Sequence, residues 1–224
     1  MNRTAQSVNT LCAALTTLGA LLALIGWVFH IAILTRVNPA FIPTQFNSAL
    51  AFLLYGLGLG ALNAHWRWTA RGLAALVTGI GLASLFEHLS GTALGIDTVS
   101  GFYLTGSGIA HPGRIAISTA VAIASLGAAL TLFSWEGMGE RRRAVLAVLG
   151  SVTMAVGLGG FLAFAARLQS TGGWVGFTRS AFPAPRCVCW PAAMCCSIWI
   201  RDPNGPQAGC RSRSRRDFWR CWSR

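Results

Sequence analysis

The chain has 224 residues, of which 54% are hydrophobic and only 11% are charged, and its mean hydropathy is +0.55. Soluble domains carry roughly 25% charged residues. This composition argues against a soluble enzyme, a disordered chain and a small disulfide-bonded protein, and it indicates a membrane protein with several spans. The net charge is +12, but eight of the eighteen basic residues follow residue 185, so much of the basicity belongs to a C-terminal tail.

Five long apolar runs follow one another along the chain. They extend over Leu11–Leu34, Phe46–Leu62, Gly72–His88, Ile115–Trp135 and Ala144–Ala166. A helix needs about 20 such residues to cross a bilayer, and its backbone groups must be satisfied within the segment. The predicted fold class is therefore all-α, a polytopic helical membrane protein with five transmembrane helices. A degraded sixth helix is left open.

Arginines in two short loops predict the orientation. Asn63–Arg71 carries two arginines, and Glu136–Arg143 carries three. Two spans separate the loops, so both lie on one side of the membrane. The positive-inside rule places them in the cytoplasm, together with the N-terminus.

A parallel two-helix internal repeat is visible in the sequence. The segment that begins at Phe46 aligns without a gap with the segment that begins at Ile117, and this alignment pairs Gly56 with Gly127. Each predicted unit contains a helix, a basic inner loop, a second helix and an outer loop. A third copy would begin near Gly176, but the composition changes after Ser180.

The sequence predicts two regions, a membrane domain over 1–181 and an atypical tail over 182–224. The tail holds six of the seven cysteines, and residues 211–216 read RSRSRR. We expect the tail to be unstructured or the product of a shifted reading frame. The alternative is a natural metal-binding tail, although its cysteine spacing differs from that of structural zinc sites. We expect no nucleic-acid partner.

Residues 86–91 read FEHLSG, residues 94–97 read LGID and residues 111–114 read HPGR, followed by a helix that opens with residues 118–120, STA. This pattern resembles the N-terminal multi-span sensor region of bacterial histidine kinases and diguanylate cyclases that contain PAS domains. The resemblance covers roughly residues 5–181. It implies a sensory or anchoring domain in the bacterial inner membrane, a homodimer, and an output module that this sequence does not contain. On that basis we expect no enzymatic activity.

The resemblance and the charge pattern select candidate residues for ligand binding or signal coupling in the outer loop. These are Glu87, His88, Asp97, His111 and Arg114. A residue that can ionise near membrane depth is a functional candidate by default. The alternative is structural, with Asp97 capping a turn and Glu87 paired with Arg114.

Two further sets of residues are weaker candidates. His30 and His88 could form a two-histidine site for haem or a metal ion, but hydrogen-bonded structural histidines explain the same residues, and we expect no cofactor. Gly56, Gly60 and Gly157 have the small-residue spacing that lets helices pack closely in lipid. A small transporter or channel subunit, or a b-type cytochrome, remains an alternative function.

Overall fold

A computed structural model describes residues 3–35, 44–95, 114–135 and 139–165. The described part is all-helical and contains six helices. They are α1 (Arg3–Val28), α2 (Ala32–Thr35), α3 (Phe46–Asn63), α4 (Arg67–Ser90), α5 (Ile117–Phe133) and α6 (Glu140–Ala165). The predicted tail, the predicted third repeat and any sixth span lie outside these residues.

Four of these helices are long and apolar enough to cross a membrane. The candidate spans are Gln6–Val28, Phe46–Asn63, Arg67–Ser90 and Glu140–Gly160. The chain is therefore a candidate multi-pass helical membrane protein. The fourth predicted span corresponds to α5, which is apolar but shorter, with 17 residues. At 1.5 Å per residue it extends for about 25 Å, near the lower limit for a span.

The first apolar run does not form one continuous helix. The helix α1 ends at Val28, and the chain turns at His30, whose φ of +56° lies in the left-handed region. The N–H of Ile31 donates to the carbonyl of Gly26 over 2.8 Å, and the short helix α2 follows. Because the residues on both sides of the turn are apolar, hydropathy alone predicted a single helix here.

The helices form a bundle in which α3 and α5 lie inside. Helix α3 packs against α1 and α4, while α5 packs against α4 and α6, and α3 and α5 also touch each other. The core combines small residues with a few large ones, including Phe52, Tyr55, Ile123 and Leu126. In an apolar solvent this close packing, rather than the hydrophobic effect, holds helices together.

Two contacts bring the arginine-bearing turns to one end of the bundle. Asn63, at the end of α3, bonds to the side chain of Asn9 near the start of α1. The guanidinium of Arg71, near the start of α4, donates to the carbonyl of Ser134 beyond α5 over 3.1 Å. We call this the inner end, following the predicted orientation. The outer end holds the last turns of α1 and α4 and the first turns of α3 and α5.

The aligned helices α3 and α5 share their buried positions. The two residues that precede the aligned helices, Gln45 and Ala116, have nearly identical backbone angles. Gly56 meets Thr17 of α1, and the aligned Gly127 meets Thr78 of α4. At the inner end, the contact of Asn63 with Thr10 corresponds in the same way to the contact of Ser134 with Arg71. The pairs that correspond are thus α1 with α3 and α4 with α5.

The helix α6 has the burial pattern of the first helix in each pair. Its buried Gly150, Thr153 and Gly157 have the same spacing as Ala74, Val77 and Gly81 of α4. They also have the same spacing as the buried Ala13, Thr16 and Ala20 of α1. By this correspondence α6 would begin a third pair.

Candidate functional site at the outer end of α4 and α5

The outer end of α4 is closed by a turn that folds back over the helix. Gly91 ends the helix with a φ of +68°, a left-handed conformation that costs glycine little. The hydroxyl of Ser90 donates to the carbonyl of Phe86 over 2.7 Å and accepts a hydrogen bond from the N–H of Thr92 over 3.2 Å. These bonds direct residues 91–95 back across the last turn of α4.

This turn brings a backbone donor to the carboxylate of Glu87. The N–H of Leu94 donates to Glu87 Oε1 over 2.7 Å, and the Glu87 side chain is fully buried. Its second oxygen, Oε2, has no hydrogen-bond partner among the described residues. A buried polar atom without a partner is costly, so such an atom marks a place where a water or a ligand atom would be stabilising.

Two hydroxyls in the same region share this property. Ser84 lies one turn before Glu87 on α4, and Ser118 lies in the first turn of α5. Both are buried, and within the part of the chain that the structure describes neither Oγ has a hydrogen-bond partner. The antiparallel contact of Gly81 with Ala124 sets the register of the two helices and brings the first turn of α5 alongside the last turns of α4. Hydroxyls donate and accept, while a carboxylate oxygen accepts, so each of these atoms would be stabilised by a small polar group that donates a hydrogen bond.

His88 links α4 to the segment that enters α5. Its Nε2 lies 2.7 Å from the carbonyl oxygen of Ile115, two residues before α5 begins. A carbonyl oxygen can only accept, so Nε2 carries the proton in this contact. This use of Nε2 leaves only Nδ1 for any ligand, which weighs against the weak metal role considered for His88.

The first helix pair contains a matching contact. The indole Nε1 of Trp27 donates to the carbonyl of Thr44 over 2.7 Å, and Thr44 lies two residues before α3. Thr44 aligns with Ile115, and Trp27 occupies on α1 the position that His88 occupies on α4. In each pair, a ring nitrogen on the first helix therefore binds the backbone just before the second helix of that pair.

The residue before each ring distinguishes the two pairs. In the first pair this residue is Gly26, and a Cβ there would lie 2.7 Å from the Cβ of Leu34, because α2 packs against the glycine. In the second pair it is Glu87. In the first pair, Leu34 and Thr35 of α2 therefore pack against this position. In the second pair, the same position carries the buried carboxylate of Glu87.

The structure places the other predicted residues as follows. Arg114 is half-buried and precedes Ile115, so it lies beside the His88 contact. Asp97 and His111 lie outside the described residues. His30 is exposed in the turn after α1. Among the described residues, no three histidines, cysteines or acidic residues are grouped so that they could hold a metal ion.

The predicted packing glycines differ in their surroundings. A Cβ on Gly56 would overlap the side chain of Thr17 and lie 2.9 Å from its backbone nitrogen. Gly60 has nothing within 4 Å of an added Cβ. Gly157 is buried in α6. On α3, Gly56 therefore approaches the backbone of another helix, and Gly58 approaches the side chain of Leu130, whereas Gly60 has open space.

Sequence reasoning selected Glu87 and His88 but missed the residues they contact. Leu94 and Ile115 act through backbone atoms, which carry no sequence signal. Trp27 could have been found, because the internal alignment pairs Thr44 with Ile115. Comparison of the chain with protein-family models, with curated proteins and with solved structures finds no match.

Proposed function

We propose that this chain is the membrane-embedded sensory or anchoring domain of a bacterial signalling protein of the histidine kinase or diguanylate cyclase type. One observation carries the proposal. Described parts of the sensor-like pattern contact each other or the residue beside them: Glu87 binds Leu94, and His88 binds Ile115, the residue that follows the HPGR segment. These parts of the pattern thus meet at the outer end. We call Glu87, His88, Leu94 and Ile115 the outer assembly.

Two features of α4 connect the outer assembly with the inner end. The helix is continuous over 24 residues, about 36 Å, with Glu87 and His88 in its last turn and Arg71 near its start. At the inner end, the Arg71 guanidinium lies 4.7 Å from the ring centre of Trp68 and 5.3 Å from that of Trp135. A guest that binds at Ser84, Glu87 and Ser118 would bias the bundle only by its difference in affinity between two arrangements of α4 and α5.

The proposal includes the wider architecture. The chain spans the bacterial inner membrane with its N-terminus in the cytoplasm, the pairs α1–α3 and α4–α5 are two copies of one parallel repeat, and α5 spans the bilayer despite its length. The protein acts as a homodimer. The shared contacts of Thr17 with Gly56 and of Thr78 with Gly127 support the repeat.

A distance measurement across the inner end tests the signalling role. Spin labels are placed at two exposed alanines, Ala64 before α4 and Ala144 in α6, in a variant with all seven cysteines replaced. We expect Glu87→Ala to shift the distance distribution between the labels. Leu89→Ala, an exposed position two residues away, is the control and should leave the distribution unchanged. An unchanged distribution in Glu87→Ala would contradict the coupling.

The proposal also predicts that the chain has no catalytic output of its own. The purified 224-residue protein should neither phosphorylate itself with ATP nor form a cyclic dinucleotide from GTP. Turnover in either assay, abolished when the protein is heat-denatured, would show that the assignment as a sensory or anchoring domain is wrong.

A small transporter is the second candidate, and one observation favours it. Glu87 is a fully buried carboxylate near the outer end of an apolar helix, with one oxygen that has no partner among the described residues, and buried carboxylates are a feature of ion-coupled carriers. Reconstituted vesicles that show solute or proton flux, lost in Glu87→Gln, would favour transport. A sensory domain should show no flux.

A further inference from the structure

The inner end of the described bundle carries an exposed basic and aromatic surface. Three arginines and two tryptophans lie at this end: Arg67, Trp68, Trp135 and Arg141 are exposed, and Arg71 is half-buried. Trp68 is 80% exposed and Trp135 is 56% exposed, so both rings are available to a partner. We call these five residues the inner surface.

The inner surface is held in place by contacts between α4 and the connection after α5. The Arg71 guanidinium contacts the rings of Trp68 and Trp135 and donates to the carbonyl of Ser134. These interactions hold both indoles against one cation. This part of the surface is therefore pre-organised, and a partner would not have to order the side chains of Arg71, Trp68 and Trp135.

The depth of the inner surface in the bilayer follows from the length of α4. A helix of 24 residues extends for about 36 Å, and the hydrocarbon core is about 30 Å thick. The first turn of α4, with Arg67 and Trp68, then lies at the level of the headgroups. Tryptophan prefers this level, and arginine there meets phosphate oxygens.

The charge of the inner end selects the partner. The two inner connections and the helix starts beside them contain five arginines, at positions 67, 71, 141, 142 and 143, and two acidic residues, Glu136 and Glu140. This excess of positive charge complements an anionic group, and the guanidinium fork binds phosphate oxygens in pairs. We propose that the inner surface binds the phosphate headgroup of anionic phospholipids in preference to zwitterionic ones.

This proposal does not depend on the signalling role, because it concerns the opposite end of the bundle from the outer assembly. A transporter with the same fold would carry the same lipid site.

Lipid selectivity at the protein boundary tests the proposal. The full chain is reconstituted in phosphatidylcholine bilayers that contain a trace of spin-labelled phosphatidylglycerol or spin-labelled phosphatidylcholine. Electron paramagnetic resonance then gives the fraction of each lipid that the protein immobilises. We expect a severalfold preference for phosphatidylglycerol that weakens as the salt concentration rises, since salt screens exposed charges.

Two double variants separate the inner surface from the basic tail. Arg67→Gln with Arg141→Gln should reduce the preference for phosphatidylglycerol. Arg211→Gln with Arg213→Gln removes the same charge from the tail and should reduce it less. Equal immobilisation of the two lipids by the parent protein would overturn the proposal, as would an equal or larger loss in the tail variant. Thermal unfolding confirms that each variant is folded before the comparison is made.

Discussion

The imidazole Nε2 of His88 lies 2.7 Å from the carbonyl oxygen of Ile115 and joins the end of α4 to the start of α5. A long connection separates these residues in the sequence, and the bond fixes where that connection rejoins the bundle. Trp27 makes the same kind of bond to Thr44 in the first helix pair. Because the two pairs share this bond although the ring differs, the bond belongs to the architecture of the pair, and the neighbouring Glu87 is what distinguishes the second pair.

The ring bonds should contribute measurably to stability. Trp27→Phe and His88→Phe each keep an aromatic ring but remove the nitrogen, and they leave a carbonyl without its donor. We expect each to lower the free energy of unfolding by about 1–3 kcal/mol. Trp66→Phe, at an exposed indole, is the matched control and should change little. Thermal unfolding of the detergent-solubilised protein measures all three. Equal effects at Trp66 and Trp27 would contradict the structural role of the bond.

Close helix contacts should make two aligned glycines intolerant of a methyl group. On Gly127 a Cβ would lie 2.5 Å from the backbone nitrogen of Thr78, and on Gly56 it would lie 2.9 Å from that of Thr17. Backbone atoms cannot move aside without separating the helices, so Gly56→Ala and Gly127→Ala should each cost about 1–3 kcal/mol.

Gly60 provides the control on the same helix. It has open space around an added Cβ, and alanine is the better helix former, so Gly60→Ala should be neutral or stabilising by up to about 1 kcal/mol. The midpoint of thermal unfolding ranks the three variants. If Gly60→Ala proved as damaging as Gly127→Ala, the proposed packing of α4 against α5 would be wrong.

Arg71 should hold the inner ends of α4 and α5 together. Arg71→Gln removes the cation between the rings of Trp68 and Trp135 and the charged hydrogen bond to Ser134, and we expect a loss of about 1–2 kcal/mol. Arg141→Gln removes the same charge from an exposed position on α6 and should cost less than about 0.5 kcal/mol. Thermal unfolding in neutral detergent compares them, and similar losses would show that charge alone, and not the contacts of Arg71, matters.

The helices could be predicted from the sequence because charged residues interrupt the apolar runs. Arg67 begins α4 and Glu140 begins α6, close to the predicted limits. The turn at His30 could not be predicted, since a reversal between two apolar segments leaves the hydropathy unchanged. The separate helix α2 could not be predicted for the same reason. It packs against Gly26 through Leu34 and Thr35.

The candidate site was predictable in part. Glu87 and His88 were selected because ionisable residues are rare in apolar helices. Their partners are backbone atoms of Leu94 and Ile115, and such contacts follow from the path of the chain rather than from residue type. The contacts are compatible with the predicted unit of α3 with α4, because α3 packs against α4 as α5 packs against α6, and also with a unit of α1 with α3. A repeat found by alignment gives the period but leaves open where the unit begins.

The most direct test is a labelling experiment that determines which end of α4 faces the outside of the cell. Two exposed alanines, Ala64 before the helix and Ala93 after it, are replaced by cysteine one at a time in the cysteine-free chain. Intact spheroplasts are then treated with a maleimide that cannot cross membranes. We predict that Ala93→Cys is labelled at once and that Ala64→Cys is labelled only after the membrane is permeabilised. Labelling of Ala64→Cys in intact cells, or protection of both cysteines until lysis, would contradict a membrane-spanning α4 with its basic end in the cytoplasm.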